Sequence, residues 1–293
     1  HFGRDSLPGA SVANVADVIL SDDIDRDVAL RVLESTGFRN ASRAYVNFRH
    51  MSGEAQTRET FARLSVLACD MLRARADPDR ALNNWERFVD VLPDAGRHYR
   101  MLLTQPMRLK LLLSIFSGSQ FLADTLARNP EFLDAVTLPA NVQASRTKKQ
   151  LIEELRTFVS DAHSYEDWLD EVRRFRRREI LRIGARDMCL HVATSQISRE
   201  LSWLAEAIIE VTLAKVWNRV ERRDSNVSGE VASKRFCVLA FGKLGGEELN
   251  YSSDIDLMGI YENGETGPRG ETTQSAPYAS AMTLLREALS SHT

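Results

Sequence analysis

The chain has 293 residues and a mass of 33.0 kDa, with 43% apolar and 27% charged residues. That is ordinary globular usage, and it excludes disorder, collagen and coiled coil as the main architecture. A net charge of −3 with pI near 6.1 leaves no global basic field of the kind that draws in nucleic acid, which is therefore not an expected partner.

Most of the chain reads as helix, with proline and glycine sparse until residue 242. Residues 57–76 carry Phe61, Leu64, Leu67 and Met71 at steps of three and four, which predicts a helix. Asp77-Pro78-Asp79 breaks the chain and caps a new helix from about Ala81, with Leu82, Trp85, Phe88 and Val89 on one face. Pro93, Pro106, Pro130 and Pro139 mark later joints, with short helices at 109–116 and 120–127 between them. Such brief apolar helices pack around one another in an all-helical domain. Residues 141–147 read as a polar joint. Two long helices follow, at about 165–192, burying Trp168, Val172, Phe175 and Ile183, and about 195–222, with the stripe Ile197, Leu201, Leu204 and Ile208. The joint between them is a few residues, so they are expected to be antiparallel.

The texture changes after residue 222. Residues 223–233 are polar and read as a loop. Residues 236–241 are continuously apolar with aromatic and β-branched content, which predicts a buried strand. Gly242-Lys243-Leu244-Gly245-Gly246 is a glycine-rich turn, 254–261 reads as a second strand, 263–274 as a loop and 277–289 as a helix. The expected fold class is mainly α with a C-terminal α+β part. Its expected domains are a helical region at 1–145, a long helix pair at 146–222 and an α+β core starting at 234.

Cys69, Cys189 and Cys237 are far apart and lack Cys-x-x-Cys spacing, so neither a disulfide framework nor a zinc site is expected. Three buried, reduced thiols are, which suits the cytoplasm. No apolar run reaches the 18 or so residues of a membrane span, and the opening His1-Phe2-Gly3-Arg4-Asp5 has no signal-peptide pattern; a membrane is not an expected partner. The sequence neither starts with methionine nor ends on a terminal motif, as expected for an excised piece of a longer protein. His50, His98, His163 and His191 show no ligand spacing, and the four tryptophans are expected in the core.

The residues that carry chemistry lie between the two strands. Side chains alternate along a strand, so Asp254 and Asp256 are expected on one face, with Ile255 and Leu257 on the other, in the core. Two carboxylates together make a hard oxygen site suited to Mg²⁺, whose shell is completed by water and phosphate. Gly242, Gly245 and Gly246 bare the backbone N–H groups for an anion. Lys243 adds positive charge, and the hydroxyls of Ser252 and Ser253 are within reach of a phosphate oxygen. A P-loop would need its lysine at the end of the turn, and the dinucleotide fingerprint needs another glycine spacing. An arginine run, Arg173, Arg174, Arg176, Arg177, Arg178, Arg182 and Arg186, falls on one helix, and Arg174, Arg178, Arg182 and Arg186 within it form an i, i+4 row. It reads first as a solvated face paired with Glu171, Glu179 and Asp187, and otherwise as one or two side chains turned toward nucleotide phosphates or an acidic partner.

The stretch Phe241-Gly-Lys-Leu-Gly-Gly-Glu-Glu-Leu-Asn-Tyr-Ser-Ser-Asp-Ile-Asp-Leu257 resembles the signature of the glutamine synthetase adenylyltransferase/adenylyl-removing enzymes, a family of DNA polymerase beta-like nucleotidyltransferases. The broader superfamily has serine or glycine where Lys243 stands; the narrower family uses lysine. The likeness extends through 173–188 and 201–209 and more faintly through 119–134, so that it covers about 80–290. It implies a helical domain followed by a polymerase beta-like core, here truncated before its third acidic strand. Enzymes of this kind carry two halves, one transferring AMP from ATP to a tyrosine of glutamine synthetase and one removing it with phosphate, releasing ADP. The PII signal protein and glutamine control the balance. Carried over, Asp254 and Asp256 bind magnesium, Gly242, Gly245, Gly246 and Ser253 cradle phosphate, and Lys243 assists. Ser252-Ser253-Asp254-Ile255-Asp256 leans toward the removing half. A third carboxylate belongs on a later strand, and Glu262, Glu265 and Glu271 are poor substitutes for it. The rival readings are a non-catalytic helical interaction module and a related nucleotidyltransferase with another acceptor.

Overall fold

The computed structural model describes residues 14–190, 192–223, 228–262 and 275–290. The chain divides into two compact units, His1–Gln143 with Gly184–His191, and Ala144–Ile183 with Val192–Thr293.

The described part of the first unit is helical. Its helices are α1 (Val15–Leu20), α2 (Arg26–Ser35), α3 (Ala41–Met51), α4 (Ala55–Leu72), α5 (Pro78–Asp90), α6 (Ala95–Thr104), α7 (Pro106–Gly118), α8 (Gln120–Arg128), α9 (Leu133–Thr137) and α10 (Pro139–Gln143). Side-chain caps fix the starts. Asn14, Asp25, Asn40, Asp77, Asp94 and Ser119 each accept a hydrogen bond from a first-turn N–H. Proline opens α5 and α7, where its missing N–H costs nothing. The helix expected from Ala81 thus begins at Pro78. The core is a chain of rings: Phe61 lies 4.8 Å from Tyr99 and 6.0 Å from Trp85, and Phe88 5.7 Å from Phe116. Buried His98 accepts from Trp85 Nε1 at 3.4 Å. Burial, with Arg108 nearby, pushes its pKa down to about 3, so it is neutral at pH 7.

The second unit contains α11 (Lys148–Phe158), α12 (Tyr165–Leu190) up to Ile183, and α13 (Thr194–Arg223). The polar joint ends at Thr147, whose hydroxyl forms a capping box with Gln150 and starts α11. The expected antiparallel pairing of α12 and α13 is visible in three contacts. Arg219 lies over the Tyr165 ring at 4.1 Å and Lys215 over Trp168 at 5.6 Å, while Arg182 reaches Glu200 at 3.1 Å. The partners converge in sequence toward the short joint, as in a helical hairpin.

The arginine row is a solvated face only at its start, where Arg174, 41% exposed, pairs with Glu171 at 3.6 Å as expected. Arg182 and Arg186 are buried. Arg182 joins Glu179 (2.8 Å) and Glu200 (3.1 Å), and Glu179 also receives Arg146 (2.6 Å) and Arg178 (3.0 Å). Arg186, in the part of α12 that belongs to the first unit, donates to the carbonyls of Val142 and Gln143, each at 2.7 Å. These carboxylates and carbonyls give the row buried partners that water would otherwise supply.

Residues 229–234, expected as loop, form the helix α14 (Gly229–Lys234), capped by Ser228. A Cβ on Gly229 would stand 3.0 Å from the Trp217 carbonyl, so this close approach leaves a side chain little room. Then come β1 (Phe236–Phe241), the one-turn α15 (Gly242–Gly245), β2 (Asp256–Tyr261) and α16 (Ala276–Ser290). The strands are antiparallel, with Phe236 opposite Tyr261 and Phe241 opposite Asp256.

One face of the sheet packs on helices. Phe236 meets Trp217 edge-on at 5.3 Å, and Tyr278 stacks on Phe236 at 5.8 Å and on Tyr261 at 4.6 Å. The other face carries Cys237, Leu239, Phe241, Met258 and Ile260, all exposed. The apolar run at 236–241 therefore signals not a doubly buried strand but one covered by helices on a single face. Three expectations fall with it. Asp254 precedes β2 rather than lying on it, and Ile255 is 41% exposed rather than in the core, while Leu257 is half-buried. Among the thiols only Cys69 is buried; Cys189 is half-buried and Cys237 exposed.

Candidate functional site

The site is built on the link between β1 and β2. The chain leaves β1 through Gly242 in the left-handed region, at φ +59°, which no side chain opposes. Gly245 is needed for a different reason: a Cβ there would lie 2.5 Å from the Ala240 carbonyl oxygen. Leu244, between them, is buried and anchors the turn. The N–H of Gly246 is taken by the Gly242 carbonyl at 3.1 Å, and that of Glu248 by the Lys243 carbonyl at 2.8 Å. Lys243 is exposed, with no side-chain hydrogen bond or ion pair among the described residues.

Helix α13 clamps the end of this turn. Glu247 has φ +53°, a strained value for a residue with a side chain. Arg199 reaches its carboxylate at 3.2 Å, and Trp203 Nε1–H donates to it at 3.4 Å. The N–H of Leu249 donates to the buried Ser202 hydroxyl at 3.2 Å. Asn250 then organises the approach to the aspartates. Its side-chain oxygen accepts from the Ser252 N–H (3.1 Å) and the Ser253 hydroxyl (2.8 Å), and its N–H donates to Ser253 Oγ (3.0 Å). This Asx-type turn leaves the Ser253 hydroxyl engaged within the loop.

Of the expected site residues, Ser252, Ser253, Asp254 and Asp256 line one cleft of about 990 Å³ within the second unit, at the upper end of small-molecule sites. Its other walls come from α12 (Leu169, Arg173, Arg176), α13 (Leu204, Ile208) and α16 (Leu285, Arg286). Gly242, Lys243, Gly245 and Gly246 are not part of this lining. Gly242 nonetheless abuts it, since a Cβ there would stand 3.7 Å from Asp256 Oδ2. Both aspartates are exposed, so their oxygens are open to a cation and its water. The donor set is hard and anionic, and so fits a magnesium ion. Among the described residues the group of three or more close ligand side chains is elsewhere: His50, Glu86 and Asp90. Glu262 is exposed just beyond β2, and Glu265 and Glu271 lie outside the described residues.

Sequence reasoning did not find Ser202, Glu247, Arg199 or Asn250 as supports. Only Asn250 carried a local signal, its spacing to Ser252 and Ser253. The cleft also takes Arg173 and Arg176 from the arginine run rather than the i, i+4 row.

Comparison with known proteins agrees with the signature segment. The family model described as glutamate-ammonia ligase adenylyltransferase matches residues 109–293. Bifunctional glutamine synthetase adenylyltransferase/adenylyl-removing enzymes are similar along much of the chain. The one from Brucella suis biovar 1 (strain 1330) is 30% identical over 264 residues, covering 87% of this chain and 26% of its own length. The one from Agrobacterium fabrum (strain C58 / ATCC 33970) is 29% identical over 285 residues, covering 94% and 28%. That from Xanthobacter autotrophicus (strain ATCC BAA-1158 / Py2) is 31% identical over 255 residues, covering 84% and 25%. The chain thus spans about a quarter of the length of these relatives. With the family model matching more than half of its residues, the chain belongs to the glutamate-ammonia ligase adenylyltransferase family.

Proposed function

We propose that the cleft is a nucleotidyltransferase site of the DNA polymerase beta-like kind, and that it moves AMP between a nucleotide and a tyrosine of glutamine synthetase. The observation that carries this is the Asp256 carboxylate beside the bare Gly242 turn, with Asp254 lining the same cleft. Asp254 and Asp256 are the residues that would hold Mg²⁺. When bound, such an ion neutralises phosphate oxygens at the reacting phosphorus. Gly242 keeps the space beside Asp256 clear. Lys243 offers an uncommitted positive charge next to it, while Ser252 and Ser253 set the loop that delivers Asp254. Gly245 and Gly246 act by permitting the turn. In domain terms, 234–293 supplies the catalytic core, 146–222 the long helix pair that braces it, and 1–145 a helical region.

The direction we favour is removal. A phosphate oxygen forms a bond to the phosphorus of the AMP group, the bond from that phosphorus to the tyrosine oxygen breaks, and the products are ADP and the tyrosine hydroxyl. The partners on this reading are adenylylated glutamine synthetase, phosphate and the PII signal protein as regulator.

The test uses the full-length protein with adenylylated glutamine synthetase and inorganic phosphate. ADP release is expected, and Asp254→Asn and Asp256→Asn should each lower it on the order of 10²–10³-fold. AMP incorporation from ATP that vanishes in Asp254→Asn would assign the opposite direction. Full activity of both kinds in both variants would defeat the metal assignment and favour a non-catalytic interaction module.

A further inference from the structure

The cleft is lined by three arginines, Arg173, Arg176 and Arg286, against two carboxylates, Asp254 and Asp256. Most guanidinium groups on α12 have an anionic partner. Arg173 is paired with Asp170, Arg174 with Glu171, Arg178 with Glu154 and Glu179, and Arg182 with Glu179 and Glu200. Arg176 makes no hydrogen bond or ion pair among the described residues, and neither does the side chain of Arg286 on the α16 wall. Arg177, which also makes no hydrogen bond or ion pair among the described residues, does not line the cleft.

We infer that Arg176 binds the phosphate chain of the nucleotide, as a subsite separate from the metal-holding aspartates. Three features of the cleft carry this. Arg176 shares a cleft with Asp254 and Asp256, so one extended ligand can reach both. Its planar fork is the side-chain geometry best matched to phosphate oxygens, which it can hold in pairs. And its exposed guanidinium makes no ion pair among the described residues, with the like charge of Arg177 next to it in sequence, so it is open to an incoming anion. The two aspartates repel a polyphosphate until a cation screens them, whereas Arg176 attracts it without one. The division of labour is therefore metal-dependent at the aspartates and metal-independent at Arg176. This rests on the nucleotide-site reading proposed above, and the test separates the two.

The experiment titrates the full chain with ADP, the nucleotide of the favoured direction, and with ATP, each with and without magnesium, and with adenosine as the phosphate-free control, by calorimetry. Arg176→Gln is expected to weaken ATP binding roughly 10–100-fold while leaving adenosine affinity and the melting temperature unchanged. Arg176→Lys, which keeps the charge but not the fork, should recover part of the loss and guards against a folding artefact. Asp254→Asn should remove the magnesium dependence of ATP binding and leave the Arg176 effect in place. Unchanged ATP affinity in Arg176→Gln overturns the inference, including the case in which Arg176 instead engages acidic side chains of an acceptor protein, while the aspartate reading survives. An equal loss for ATP and adenosine overturns it too, as a packing effect. Binding of neither ADP nor ATP by the unaltered chain overturns both readings.

Discussion

Gly242, Gly245 and Gly246 are one glycine-rich turn in the sequence, yet the structure needs them for different reasons. Gly242 holds φ +59°, a conformation that costs any L side chain about 1–2 kcal/mol. Gly245 has ordinary backbone angles but no room, with the Ala240 carbonyl oxygen 2.5 Å from a would-be Cβ. Gly246 is neither: its φ is −88°, and the nearest atoms a Cβ would meet, at 3.3–3.5 Å, belong to the flexible side chain of Glu248. Alanine scanning should resolve the three. Gly245→Ala is expected to destabilise by about 1–3 kcal/mol through backbone displacement, and Gly246→Ala by less than about 0.5 kcal/mol. Urea unfolding measures both. Equal effects at the two positions would mean that the turn tolerates a side chain at Gly245 and can move it away from the Ala240 carbonyl at little cost.

At the scale of elements, the helix pair α12 and α13 is held by a buried charge cluster as well as by its apolar stripe. Burial pushes the Glu179 carboxyl up, and Arg182, Arg146 and Arg178 together pull it further down, so its pKa lies below the ordinary carboxylate value. The sign follows: the cluster's contribution is fully present above the ordinary glutamate pKa and is lost as the pH falls through the lowered native one. Glu179→Gln should cost about 3 kcal/mol at neutral pH, because it removes the carboxylate that Arg146, Arg178 and Arg182 share and leaves Glu200 as the remaining carboxylate on the buried Arg182, and should flatten the acid limb of the stability curve. A variant as stable as the parent at pH 7 would show the cluster to be solvated. The same elements show what is legible in a sequence and what is not. The strand at 236–241 and the helix near 165–190 emerged from period and composition because those signals are local. The helix α11 was also within reach, since Thr147 and Gln150 form a capping box, but a short polar opening masked it. The fate of the arginine row was not legible. Its spacing marks one helix face, but only the fold brings Glu200 and Arg146 to it. The site divides in the same way. The glycine turn and paired aspartates are contiguous and stand out, whereas Ser202 meets Leu249 across 47 residues of sequence, which no spacing rule anticipates.

At the scale of the molecule, the two units bury their apolar residues differently, and the cysteines report it. A two-stranded sheet is marginal by itself; this one is held by Trp217 and Tyr278 against Phe236 and Tyr261 on one face only. Cys237 sits on the opposite, open face beside Leu239 and Ile260. Cys69 lies in the helical core of the first unit, where burial and, secondarily, Asp70 push its thiol up to about 12. The thiolate is the reactive form, so Cys69 is protected twice, by access and by protonation. Under native conditions at pH 8 a maleimide should label Cys237 within minutes, while Cys69 reacts only on the timescale on which the first unit opens. Mass spectrometry of timed digests reads both sites at once. Adding urea in steps should then raise Cys69 labelling in parallel with unfolding of the first unit, since opening is the sole route to that thiol. Labelling of Cys69 as fast as Cys237 in the absence of denaturant would contradict the packed ring core around Phe61 and Tyr99, and with it the account of the first unit as a folded helical body.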